Sequence, residues 1–108
     1  MKHFIFSQTL QFDVFNEQVK CLDLELKNIE KVRDQSSTDI YLCGGGQFAG
    51  WLLENNMIDI IKIKLNPIIL GHGVRIFGSS NASAKMNLVA HESFGHNFEL
   101  LTYNLTHR

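Results

Sequence analysis

The chain has 108 residues, 44% of them apolar and 19% charged, with a formal net charge of −1. That length supports one small domain with one modest core, and the balanced charge gives no electrostatic case for nucleic acid or an anionic membrane. No apolar run approaches the roughly 20 residues of a membrane-spanning helix.

Residues 2–7 alternate, with Phe4 and Phe6 on one face, and read as a strand that begins almost at the first residue. Ser7 to Leu10 leaves it as a polar turn, and Val14-Phe15 reads as a short extended piece. Leu22, Leu26, Ile29 and Val32 fall on one helical face with lysine and glutamate between them, which predicts an amphipathic helix. Asp34 to Asp39 is a loop. Ile40 to Cys43 is β-branched and aromatic without charge, and reads as a buried strand with Cys43 packed at its end. Gly44-Gly45-Gly46 follows at once. Phe48, Trp51 and Leu52 then recur at helical spacing, with Trp51 on the inner face, and Glu54-Asn55-Asn56 closes the helix.

Ile60 to Leu65 reads as a strand that alternates from Ile61 on, with Ile61, Ile63 and Leu65 on one face and Lys62 and Lys64 on a solvated, edge-protecting face. Pro67, the only proline, marks a bend, and Ile68-Ile69-Leu70 continues in extended form. Gly71-His72-Gly73 is a turn, Val74 to Phe77 a short apolar piece, and Gly78 to Lys85 a polar loop. Met86 to Ser93 and Phe98 to Leu105 are strands joined by a hairpin-like turn at Phe94 to Asn97. The order strand, helix, strand, helix implies parallel pairing through crossover helices. The strand-rich tail implies antiparallel pairing at a sheet edge. The fold class is therefore α/β with a mixed sheet.

Three glycines between a strand and a helix admit close approach of another object to the main chain. The helix start behind them presents unpaired N–H groups and a partial positive charge, the usual seat of a phosphate. A turn that only lets strand and helix pack tightly fits the tripeptide equally, and both readings stay open here. Gly44, Gly46 and Ala49 also fit a loose dinucleotide fingerprint, but no acidic residue ends the next strand, so that assignment is rejected.

Elsewhere the signals are structural. Asp59 sits at an ordinary helix-to-strand boundary, His72 reads as an exposed turn residue, and Arg75 as half of a surface ion pair. His91, His96 and His107 lack ligand spacing, so no metal site is expected. Cys21 and Cys43 make neither a metal motif nor a disulfide framework, and the N-terminus turns polar too soon for a signal peptide. A reduced, cytoplasmic setting is the expectation.

Taken together, Asp39 to Glu54, Met57-Ile58-Asp59 and Pro67-Ile68-Ile69-Leu70-Gly71-His72-Gly73 running on to Phe77 resemble the C-terminal reductase domain of the bacterial bifunctional riboflavin-biosynthesis deaminase-reductase. That domain has the dihydrofolate reductase fold. Phe6-Ser7-Gln8-Thr9-Leu10 is similar to the family's strand-end Ser-Arg-Thr-Leu, and Leu100 to Leu105 fits its last strand. The resemblance implies NADPH binding, with the cofactor pyrophosphate at Gly44, Gly45, Gly46, Gln47 and Phe48, and often a cis bond between the first two glycines. It implies that Ser7 helps hold the adenosine 2′-phosphate. The neighbouring family arginine is Gln8 here, which removes a bidentate phosphate partner.

The implied reaction is hydride transfer of the 5-amino-6-(5-phosphoribosylamino)uracil reductase kind to a small-molecule substrate, with no catalytic residue assigned. Measured against that family, residues 1–108 read as a single reductase-like domain that is the C-terminal portion, lacking the N-terminal strand and helix. The alternative is a non-catalytic remnant that acts only as an oligomeric or partner-dependent domain. Either reading leaves apolar surface uncovered, so a homodimer is expected.

Overall fold

A computed structural model describes residues 3–6, 19–95 and 97–106. The chain divides into two compact units, residues 1–41 and residues 42–108.

In the first unit, β1 (His3–Phe6) and β2 (Val19–Leu22) form a parallel pair with His3 opposite Val19 and Phe6 opposite Leu22. Helix α1 (Leu26–Gln35) follows and buries Ile29 and Val32, one turn apart. No side-chain hydrogen bond caps its start at Glu25. The entry turn is held by Glu25 N–H and the Asn28 amide, both donating to the Asp23 carbonyl. Leu22 is thus the last residue of a strand, where its spacing to Leu26 predicted helix. A four-residue strand offers too few positions for its period to outweigh that coincidence. The parallel partner of the first strand is likewise β2, where Ile40 to Cys43 was expected.

Residues 40–43 are not a strand. Ile40 and Tyr41 are 52% and 83% exposed, and Cys43 is an exposed free thiol, against the expectation of a buried strand end. An apolar run becomes a strand only where a ladder receives its backbone, and among the described residues none does.

The second unit holds α2 (Gly46–Glu54), β3 (Ile60–Leu65), β4 (Lys85–Ser93) and β5 (Glu99–Thr106). The strands make an antiparallel sheet in the order β3-β5-β4. Ile61 and Ile63 face Tyr103 and Leu101 across the β3–β5 ladder, all half-buried, while Lys62 and Lys64 are exposed as their alternation requires. Leu65 is exposed, and Lys64 is not merely solvated: its ammonium sits 4.5 Å from the Phe98 ring centroid. The turn after β4 closes through Phe94 N–H to the Phe98 carbonyl, with Asn97 at φ 63° and the two phenylalanine rings stacked at 4.7 Å.

Ile68 to Leu70 and Val74 join no ladder and are 65–96% exposed, and residues 76–79 form a turn. No helix among the described residues is long and apolar enough to cross a membrane.

Candidate functional site

Helix α2 starts where the sequence places it, directly behind the glycine run. Gly45 is the N-cap at φ −94°, ψ −167°, no side chain caps the helix, and the first intrahelical bond runs from Ala49 N–H to the Gly45 carbonyl at 2.9 Å. The first amides of such a helix have no intrahelical acceptor and point along its axis. Gly44 stands at φ +120°, a region closed to side-chain-bearing residues. The Gly44–Gly45 peptide bond is cis, as the resemblance implied.

The two readings of the glycine run divide between its members. A Cβ added to Gly44 or Gly45 would meet nothing within 4 Å. The main chain there is open to an approaching ligand. Gly46 is different: its Cβ would lie 3.0 Å from the Arg75 carbonyl oxygen and 3.2 Å from the Gly78 amide nitrogen. Gly50, one turn on, is tighter still, since a Cβ would overlap the Phe77 carbonyl oxygen. Gly46 and Gly50 therefore let α2 lie against the backbone of residues 75–80.

Polar side chains fasten the same contact. Ser79 Oγ donates to Gln47 Oε1 at 3.0 Å, and Gly78, in left-handed backbone at φ +59°, leaves room for the Gln47 amide group. Ser80 Oγ donates to Glu54 Oε1 at 2.8 Å and accepts from Ala82 N–H at 3.1 Å. Arg75 donates from Nη2 to the Ser80 carbonyl at 3.3 Å, so it braces the turn; it makes no ion pair among the described residues, contrary to expectation.

The structure thus brings Gly44, Gly45, Gly46, Gln47 and Phe48 together at one helix start, with only Gly44 and Gly45 free of packing neighbours. Gln47 is exposed but its side chain is engaged by Ser79. Phe48 is half-buried and stacks on Trp51 with centroids 6.3 Å apart, so Trp51 is half-buried too, and the buried positions of α2 are Ala49, Gly50 and Leu52. Ser7 lies outside the described residues. The clamp of Ser79 and Ser80 on α2 was not foreseen; Gly46 and Gly50, four apart, were its one signal. A shallow recess lined by Leu53, Glu54, Asn56, Ala82 and Ser83 lies toward the other end of α2 and does not include the glycine turn. No group of three or more potential metal ligands occurs among the described residues.

This is an α/β fold with a mixed set of pairings and an open glycine turn at a helix start. Residues 4–100 match the family model of the RibD C-terminal domain, and the chain belongs to that family. A candidate riboflavin biosynthesis protein from Shewanella sp. PV-4 shares the fold at TM-score 0.81 and 24% identity, over 98% of this chain and 61% of its own. A pyrimidine reductase-like protein from Corynebacterium diphtheriae NCTC superimposes at TM-score 0.67 and 14% identity, over 84% of this chain and 40% of its own. The uncharacterized protein YyaP of Bacillus subtilis (strain 168) is 22% identical over 103 residues, which is 95% of this chain and 54% of that protein. The chain spans about half the length of that curated relative.

Proposed function

We propose that this chain carries the pyrophosphate seat of an NADPH-dependent reductase of the riboflavin-biosynthesis type. The observation that supports it most is the open main chain at Gly44 and Gly45, set against an uncapped helix start. Gly44 and Gly45 admit the pyrophosphate to the backbone. The Gly46, Gln47 and Phe48 amides offer it N–H donors at the positive end of α2. Gly46 also keeps that helix end against the turn at 75–78, and Ser79 orients Gln47. Ser7 is proposed at the 2′-phosphate. The nicotinamide would supply the hydride for the reaction class, and the acceptor is a pyrimidine bearing a ring-opened ribosylamino group. A cytoplasmic setting is part of the same reading.

A second reading has a specific observation behind it: the exposed apolar residues Ile68, Ile69, Leu70 and Val74 suit a domain completed by a partner. The two separate on turnover. NADPH consumption that depends on the pyrimidine acceptor supports the reductase. A folded chain that binds NADPH and turns nothing over leaves the partner-dependent domain standing.

A further inference from the structure

Gln47 is the second residue of α2 and carries the only polar side chain among residues 44–49. Its amide group is held from two sides. A Cβ added to Gly78 would lie 2.8 Å from Gln47 Cδ and 3.0 Å from both Oε1 and Nε2. Those near-equal distances put the Gly78 backbone over the flat of the amide, so that contact sets its plane. Ser79 Oγ donates to Oε1 at 3.0 Å, and that bond sets which edge faces the turn. Nε2 keeps its two N–H donors, with no hydrogen-bond acceptor among the described residues.

Holding the helix does not account for this arrangement. Gly46 and Gly50 already seat α2 directly on the backbone of residues 75–80. A hydrogen bond between two exposed side chains adds little to such a contact. Its distinct effect is to stop the torsions of a glutamine that solvent would otherwise leave free. A donor stopped in advance loses less freedom when a ligand arrives.

We propose that the Gln47 side chain contacts the ligand of the glycine turn, donating from Nε2 to a pyrophosphate oxygen, and that Ser79 is its positioning residue. This rests on the cofactor reading above and adds to the main-chain amides a neutral side-chain donor. An amide N–H donating to an anionic oxygen is among the stronger hydrogen bonds, because its acceptor is charged.

Titration with NADPH, followed through Trp51 fluorescence and paired with urea midpoints, tests both roles. Gln47→Glu keeps Oε1 as the acceptor for Ser79 but replaces the free donors with an anionic oxygen. A carboxylate in the first turn suits the helix, so the urea midpoint should hold. NADPH binding is expected to weaken about tenfold or more. Ser79→Ala frees the amide and is expected to weaken binding about three- to tenfold, and Ser79→Thr, which keeps the hydroxyl, to bind as the wild type does. In a Gln47→Ala background, Ser79→Ala is expected to cause no further loss. Wild-type affinity in Gln47→Glu or Ser79→Ala overturns the proposal, as does a Ser79→Ala loss that persists without Gln47. If Gly45→Val abolishes quenching while these changes leave it untouched, the proposal fails and the cofactor reading stands. A folded wild type that shows no quenching overturns both.

Discussion

At the scale of single residues, the glycines of this chain do different physical work, and substitutions separate them. Gly50→Ala drives a Cβ into the Phe77 carbonyl, a backbone atom that cannot swing aside. It should cost about 1–3 kcal/mol of stability, read as a fall in the urea midpoint. Gly45→Val adds its side chain to open space at an ordinary backbone angle, so the urea midpoint should stay close to wild type. The same branched side chain would stand in the proposed path of the pyrophosphate. Leu52→Ala empties a buried position of α2 and should cost about 2–4 kcal/mol. Gln8→Arg restores the cation that the family pattern has beside Ser7; parallel titrations should show a larger preference for NADPH over NADH than in the wild type.

At the scale of elements, what was legible depended on whether local sequence alone decides the structure. Helix α2 is bounded by glycines before it and asparagines behind it, and both ends fall where the sequence put them. Its exit is closed by two bonds, Met57 N–H to the Leu52 carbonyl at 2.9 Å and Asn56 N–H to the Leu53 carbonyl at 3.1 Å, with Asn56 left-handed at φ 57°. That arrangement satisfies the last carbonyls of the helix, and asparagine or glycine suits it. Asn56→Gly should therefore shift the melting temperature little, while Asn56→Val, branched at Cβ, should destabilise by roughly 1 kcal/mol or more.

Strand β3 was equally legible, because the five residues from Ile61 to Leu65 alternate strictly and admit only one period. Ile40 to Cys43 was not, because a short apolar run states only that its side chains avoid water. Whether a ladder is there to accept it is a tertiary fact. Strand β2 failed for the converse reason: Val19 to Leu22 is too short to show its period, and it pairs with β1 far along the chain. The site divided in the same way. The glycine turn and helix start could be read locally, but the separation of open glycines from packed ones needed residues 75–80, which are distant in sequence.

At the scale of the whole molecule, a chain of the RibD C-terminal domain family carries an open glycine turn together with much uncovered apolar surface. Ile69 and Val74 are 96% and 94% exposed, and β4 adds three exposed apolar residues at a sheet edge. Such a surface is an interaction surface in the ordinary case. The cofactor reading and the partner-dependent reading rest on separate parts of the second unit, one on the open glycines at the start of α2 and one on the exposed apolar residues Ile68, Ile69, Leu70 and Val74.

The central claim is that Gly44 and Gly45 admit a cofactor pyrophosphate. Trp51, the only tryptophan, lies on α2 and stacks on Phe48, so its fluorescence reports on the helix start. The measurement is a titration of the purified chain with NADPH, followed through that fluorescence, for the wild type and for Gly45→Val. Saturable quenching in the wild type, lost in a Gly45→Val protein whose urea midpoint is unchanged, is the predicted result. No quenching of the folded wild type at millimolar NADPH, or equal quenching of both proteins, would contradict it.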